Sequence, residues 1–572
     1  MKELQTRLQA KPFYLNEEQI RWVEATLSGM TMEEKIGQLF CLIGYTSNEG
    51  YLKNLAQNVK IGGLMCRQMP AAEVIDTVRI LQENAQIPLL ISANLESGGS
   101  GIAKEGTVFG SPLQVAATDD DGMAYRLGVV CGREGAAVGA NWAFSPIVDI
   151  DYNFRNPITN TRTFGSDPER VRRMGVQFVK GLQENGVAAS IKHFPGDGLD
   201  ERDQHLVTTV NDMDCEAWDA TYGAVFRDCI EAGAMSVMIG HIMQPAYSRK
   251  LSPGIRDEDI LPASLSYEIT TKLLKEELGF NGLVITDSTT MAGMVIPMPR
   301  SQSVPRTIAA GCDMFLFTRN FEEDYGYMKQ GVADGIITEE RLNDAVTKIL
   351  AMKAALHLPQ KKAEGTIVPS PERAGEILGA EEHRQWADAC ADRSVTLVKE
   401  EAGVLPISPA KYRKVLLYGI ETTGGFFEAK ESAADIIKAK LEKEGFTVDL
   451  FNPNRGMEGM MVPYSEVTDN YDLILYIVNL VTKSNQTVVR IEWAFPMGAN
   501  VPIYMGSVPT VFVSVENPYH LLDVPRVRTY INTYNSAEHT LDALIDKLTG
   551  RSGFHGKSPV DPFCGKWDAR LS

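Results

Sequence analysis

The chain reads as α/β: an N-terminal (β/α)8 barrel of the TIM type, with a doubly wound sheet as the rival arrangement, followed by a smaller α/β domain. Three observations point there. Eight short apolar runs recur between residues 36 and 319, each bounded by Gly, Pro or polar residues and nearly continuous in apolar character. Strands buried on both faces read this way, as in parallel sheets covered by helices. Amphipathic helical stretches lie between the runs, the alternation that βα units require. A segment rich in Pro, Gly and charge then follows, so 359–380 reads as a linker between a barrel at 1–358 and a second domain at 381–572.

In order, the runs are IGQLFCLIG (36–44), IGGLMCR (61–67), PLLISAN (88–94), NWAFSPIVDI (141–150), VAASIKHF (187–194), MSVMIGH (235–241), GLVITDS (282–288) and DMFLFTR (313–319). Among the intervening helices, 168–186 and 265–280 have the plainest periodicity, the second with Ser264 or Ser266 as its cap. A long helix over 341–358 completes the barrel pattern. Beyond the linker, a helix is expected at 381–394 and another at 431–445, with strands at 395–399, 414–420, 472–481 and 510–517. Four strands are too few for a second barrel.

Composition excludes several classes. Of 572 residues, 44% are hydrophobic and 23% charged, enough apolar matter for a sizeable core and against intrinsic disorder. Lys and Arg number 56 against 74 Asp and Glu, a net charge of −18, which argues against a nucleic-acid partner. No run approaches the length of a membrane span, and the first residues carry no secretory signal, so no membrane is expected and the cytoplasm is the default compartment. The eight cysteines, at 41, 66, 131, 215, 229, 312, 390 and 564, form no C-x-x-C pair and read as reduced thiols. The stretch GRSGFHGKS (550–558) fails the phosphate-loop spacing, and GGSG (98–101) is no dinucleotide fingerprint. No metal ligand set or cofactor is indicated.

Function in a barrel collects where strands end. Run five ends in Lys192-His193-Phe194-Pro195-Gly196-Asp197-Gly198, and the loop after it holds Asp203-Gln204-His205. Run seven ends in Asp287, run three in Asn94 with Glu96 close behind, and Arg162 follows run four. Their convergence on one cleft is the signal. Singly, each has a plainer reading: Asp287 as a helix cap, Lys192-His193 as a satisfied polar pair, residues 195–198 as a turn. Asp203-x-His205 is more specific, since a carboxylate two residues from an imidazole can orient it and raise its basicity. His241 is ranked as structural or supporting.

Together these stretches resemble glycoside hydrolase family 3, and its β-N-acetylglucosaminidase branch in particular. The resemblance runs through MTMEEKIGQLF (30–40), NWAFSPIVDI (141–150), RTFGSDP (162–168), KHFPGDGLDERDQH (192–205), the region 263–294 and AGCDMFL (310–316), and continues through the second domain in 394–407, 511–525 and 531–560. It implies a TIM barrel followed by a C-terminal α/β sandwich. It further implies a retaining exo-β-N-acetylglucosaminidase that takes terminal β-GlcNAc from muropeptide or chitin-derived fragments. Asp287 matches the nucleophile, His205 the acid/base and Asp203 its dyad partner. Arg162, Lys192 and His193 match residues that hold the sugar. A mobile loop carrying the dyad would deliver the proton only after substrate binds. Two departures stand near the sugar: Asn94 where the family often has Asp, and Asp197 where P-G-H-G has its second His. The alternatives are a phosphorylase that uses phosphate in place of water, a β-glucosidase, and a non-catalytic sugar-binding protein. For the second domain, a loop reaching the cleft and a homodimer contact are both open.

Overall fold

The computed structural model describes residues 2–422, 432–452 and 462–571, apart from positions 483, 488, 494, 496 and 497. The chain forms two compact units. Met1–Phe109, Ala124–Asn153 and Pro168–Arg384 make the first; Gly110–Met123, Phe154–Asp167 and Gln385–Ser572 make the second.

In the first unit eight parallel strands form the barrel: β1 (Phe40–Gly44), β2 (Gly63–Cys66), β3 (Leu90–Ala93), β4 (Trp142–Ala143), β5 (Ala188–Phe194), β6 (Ser236–Ile239), β7 (Leu283–Thr286) and β8 (Phe315–Leu316). The spatial order is β8-β1-β2-β3-β4-β5-β6-β7. A parallel bridge between Ile285 and Met314 joins β7 back to β8 and closes the ring. Every strand falls within one of the eight apolar runs, and β2 to β8 are almost wholly buried because helices cover the outside while side chains fill the inside.

Two runs shorten on folding. In NWAFSPIVDI only Trp142–Ala143 is regular strand, since Pro146 has no N–H for the ladder; pairing resumes at Ile147, opposite Lys192. In the eighth run Phe317 takes a left-handed backbone (φ 62°), which ends β8 after Leu316. The helix Pro168–Gln183 buries Val171, Met174, Phe178 and Leu182, the i, i+3, i+4 stripe of an amphipathic helix. Over Glu268–Glu277 the next helix is wound with i→i+5 bonding and closes with Leu278 N–H on Leu273 O. Ser266 caps it, its Oγ accepting the Ile269 N–H at 3.3 Å. Residues 359–380 contain the end of one short helix, Leu358–Ala363, and all of another, Pro371–Ile377.

The second unit is built on β9 (Thr396–Lys399), β10 (Lys414–Glu421), β11 (Thr447–Leu450), β12 (Leu473–Asn479), β13 (Thr510–Ser514) and β14 (Thr529–Asn532). Their order is β9-β14-β13-β12-β10-β11, all parallel except β9, which runs antiparallel to β14. Successive side chains face opposite sides of the sheet. Val415, Leu417, Leu475, Ile477, Val513 and Ile531 join one core with Ile437 and Leu544 from helices Ala433–Lys443 and Glu538–Thr549. Leu416, Tyr418, Ile474, Tyr476, Phe512 and Tyr530 join another. Both faces are therefore covered, and the unit is an α/β sandwich. The sequence reading omits β11 and β14. TVDL is a half-exposed edge strand with only Val448 buried, and TYIN is short and polar at both ends. Ser432 caps the helix expected from 431, whose first expected residue, Glu431, lies outside the described residues. All eight cysteines are free, and every one but Cys215 is buried. Among the described residues no helix is long and apolar enough to cross a membrane.

Candidate active site

Four consecutive barrel strands bring ionisable groups to their C-terminal ends. The run of β4 continues to Asp149, whose carboxylate is fully buried. It accepts the His193 backbone N–H on Oδ1 (3.0 Å) and His193 Nδ1–H on Oδ2 (2.6 Å). A carboxylate only accepts here, so the imidazole presents Nε2 to the barrel mouth. That atom lies 3.8 Å from Asp287 Oδ2. Asp287 directly follows β7; its N–H donates to Ile239 O at 2.8 Å, and its Oδ1 accepts the Ser288 N–H at 2.7 Å. On the other side of β5, Lys192 Nζ donates to Glu96 Oε1 at 2.8 Å, with both side chains largely buried.

Asp203 and His205 form a pair. Asp203 Oδ1 accepts both the His205 N–H (2.8 Å) and His205 Nδ1–H (2.7 Å). The acid is fully buried while the imidazole keeps 27% of its side chain exposed, so Nε2 is the atom offered to a ligand. The turn leading to this loop depends on Gly196. Its φ is 121°, and a Cβ there would stand 2.2 Å from the Tyr222 ring. Tyr222 Oη donates to Asp197 O at 2.8 Å from the same position.

Burial works to raise the Asp287 carboxyl. The imidazoles of His193, His241 and His205, with the Ser288 N–H, outweigh it and hold the group below its ordinary value. His241, at the end of β6, is held down by burial. Its Nδ1 meets Ser264 Oγ at 2.8 Å, and its Nε2 meets Ser288 O at 2.9 Å. A carbonyl can only accept, so Nε2 carries the proton and the Ser264 hydroxyl donates to Nδ1.

Of the sequence candidates, Asp287, His193 and Lys192 lie in the first unit at these strand ends, and Asp203 and His205 lie in the same unit in the loop after β5. Asn94 immediately follows β3 and is exposed. Arg162 belongs to the second unit, in the turn Asn160–Arg162. Its segment is fastened there by Phe154 against Tyr519 (6.1 Å between ring centroids), Asn160 Nδ2 donating to Asn517 Oδ1 at 3.4 Å, and Ser166 N–H to Pro559 O at 3.2 Å. Sequence reasoning assigned nothing to Asp149 or Gln204. In sequence Asp149 is one of three acidic residues in the apolar runs, with Asp287 and Asp313, and no motif marks it out. Among the described residues no three His, Cys, Asp or Glu side chains gather as a metal site.

A glycosyl hydrolase family 3 N-terminal domain model matches residues 31–352, more than half the chain. The chain belongs to glycosyl hydrolase family 3. Along 566 residues this family 3 chain is 54% identical to a beta-N-acetylglucosaminidase/beta-glucosidase of Cellulomonas fimi, which covers 99% of this chain and all of that one. The solved structure of a beta-glucoside phosphorylase, BglX, is similar with a TM-score of 0.93 and 44% identity over 99% of this chain and all of that one. A family 3 beta-N-acetylglucosaminidase from Paenibacillus sp. str. FPU-7 is similar with a TM-score of 0.78 and 25% identity, over 93% of this chain and 99% of that one.

Proposed function

We propose that this chain removes terminal β-linked N-acetylglucosaminyl units, and glucosyl units with them, by a retaining double displacement. The observation that carries the reading is an ionised, imidazole-surrounded Asp287 on the same barrel mouth as an imidazole backed by a buried carboxylate. Asp287 attacks the anomeric carbon, and the bond to the leaving oxygen breaks as His205 Nε2 gives that oxygen its proton. Asp203 holds Nδ1–H, so the imidazolium is stabilised and Nε2 is the atom that loses and regains the proton. In the second step neutral His205 takes a proton from the acceptor, which displaces Asp287 and restores the β configuration. Lys192 and His193 supply hydrogen-bonding groups to the sugar, with Asn94 beside β3. Muropeptide and chitin fragments fit as substrates, and free, mostly buried thiols fit a reducing cytoplasm.

A second reading makes phosphate the acceptor, and the full-length similarity to a phosphorylase favours it. After donating its proton an imidazole is neutral, whereas a carboxylate acid/base would be an anion facing an anion.

Product analysis with an aryl β-GlcNAc and an aryl β-glucoside, with and without millimolar phosphate, tests both readings. Free sugar in both conditions supports hydrolysis. Faster turnover to the sugar 1-phosphate supports the phosphorylase. No turnover of either glycoside overturns the enzyme reading and leaves a sugar-binding protein.

A further inference from the structure

The loop that carries His205 is fastened by a residue that the sugar chemistry does not call for. Gln204, between the two members of the pair, is fully buried. Its Nε2 donates to Asp197 Oδ2 at 3.2 Å, and its Oε1 accepts the His241 N–H at 2.8 Å. The partners fix the orientation of the amide, since a carboxylate only accepts and a backbone N–H only donates. Asp197, itself buried, accepts the Gly198 N–H on Oδ1 (2.7 Å), and its own N–H donates to Asp149 Oδ1 (2.8 Å). His241 continues the chain to Ser288 O, next to Asp287. The loop backbone is held as well: Gly293 N–H donates to Gln204 O at 3.1 Å and Ala292 N–H to His205 O at 3.0 Å. The ends of β4, β5, β6 and β7 therefore all grip this loop.

We propose that Asp197 and Gln204 form a latch that sets the His205–Asp203 pair in its proton-transfer position before substrate binds. Both are positioning residues, acting through His205, and the inference rests on the acid/base role proposed for that imidazole. A loop that swung in only after binding would have to leave this arrangement when open. Opening would break both hydrogen bonds of the Gln204 amide and strip buried Asp197 Oδ2 of its Gln204 donor and the His241 N–H of its acceptor, a cost without return until the loop closes. The latch also gives a physical role to the departure at 197. An imidazole there would offer no carboxylate to Gln204.

The hydrogen-bond polarity supplies the test. Asp197→Asn sets an amide NH2 against the Gln204 NH2, and Gln204→Glu sets carboxylate against carboxylate. The double variant D197N/Q204E rebuilds the chain with donor and acceptor exchanged: the new amide at 197 donates to the new carboxylate at 204, whose other oxygen still accepts the His241 N–H. The readout is kcat/KM on an alkyl β-glycoside, whose poor leaving group needs the proton, divided by kcat/KM on the dinitrophenyl glycoside, which does not. This ratio is independent of the fraction of protein that folds. Each single variant should lower it by about tenfold or more, part of the 10²–10⁴-fold that a general acid contributes, and the double variant should recover it to within a few-fold. An unchanged ratio in the single variants, or a loss that the double variant does not recover, overturns the latch. His205→Ala runs alongside. If the ratio falls there but not in the latch variants, only the latch fails; if it does not fall in His205→Ala, the acid/base reading fails and takes the latch with it.

Discussion

Asp287 shows how a buried carboxylate is kept ionised. Desolvation pushes its pKa up, and three imidazoles and a backbone N–H reverse the balance. A lowered carboxyl is ionised above its folded value and loses its charge as pH falls through it. The acid limb that belongs to Asp287 should therefore lie below about pH 3.9, the ordinary aspartate value. A kcat/KM profile on an activated aryl glycoside, which does not need the His205 proton, reads this limb directly; a midpoint at pH 5 or above would contradict it. Asp287→Ala should cut turnover by at least about a thousandfold, the scale on which covalent nucleophiles are missed. Residual activity with retention would show that another group attacks.

Two elements carry predictions of their own. Where β7 meets β8, fully buried Asp313 accepts the Val284 N–H at 2.9 Å and Lys275 Nζ at 3.1 Å, and pairs with the Arg341 guanidinium. Burial pushes Lys275 down, so it leans on this partner. Asp313→Ala takes the paired carboxylate from Lys275, while Arg341 keeps Asp344, and should cost about 3–5 kcal/mol, measured by urea unfolding; a change under about 1 kcal/mol would mean that water replaces the carboxylate. Beyond β13, buried His520 meets Ser514 Oγ through Nδ1 at 2.8 Å, and burial lowers its pKa to about 3. The unfolded state takes up this proton below about pH 6.5 and the folded state does not, so stability falls as pH drops, by about 2 kcal/mol at pH 5. His520→Asn, which keeps an amide near Nδ1, should flatten the fall between pH 7 and 5 by that amount. An equal slope in the variant would place the titrating group elsewhere.

At the scale of the molecule, the −18 charge opposes any anionic acceptor. If phosphate is that acceptor, its kcat/KM should rise roughly 2- to 10-fold as ionic strength goes from about 0.01 to 0.15 M, while hydrolysis by water stays level. Steady-state rates across a chloride series check this. A fall with added salt would mean that local cations at the barrel mouth outweigh the global field.

Sequence alone determined the alternation of apolar runs and helices, hence parallel strands covered by helices, because strands buried on both faces need continuous apolar residues. That the strands close into a ring and not an open doubly wound sheet is seen in the bridge from Ile285 to Met314. It also determined the contact of Asp203 with His205: residues two apart on a turn can meet without help from the rest of the fold. The tertiary structure decided what surrounds them. Lys192 meets Glu96 across 96 positions, His193 meets Asp149 across 44, and Gln204 meets His241 across 37. Such partners become neighbours only when the strands close into a ring, which sets the ends of β3 to β7 side by side whatever their separation along the chain. Pro146 and Phe317 shortened two strands through backbone rather than hydropathy, and edge strand β11 stayed hidden because half of it faces solvent. A strand-end carboxylate such as Asp149 has no pattern of its own. Its meaning lies in the three N–H donors that the folded barrel points at it.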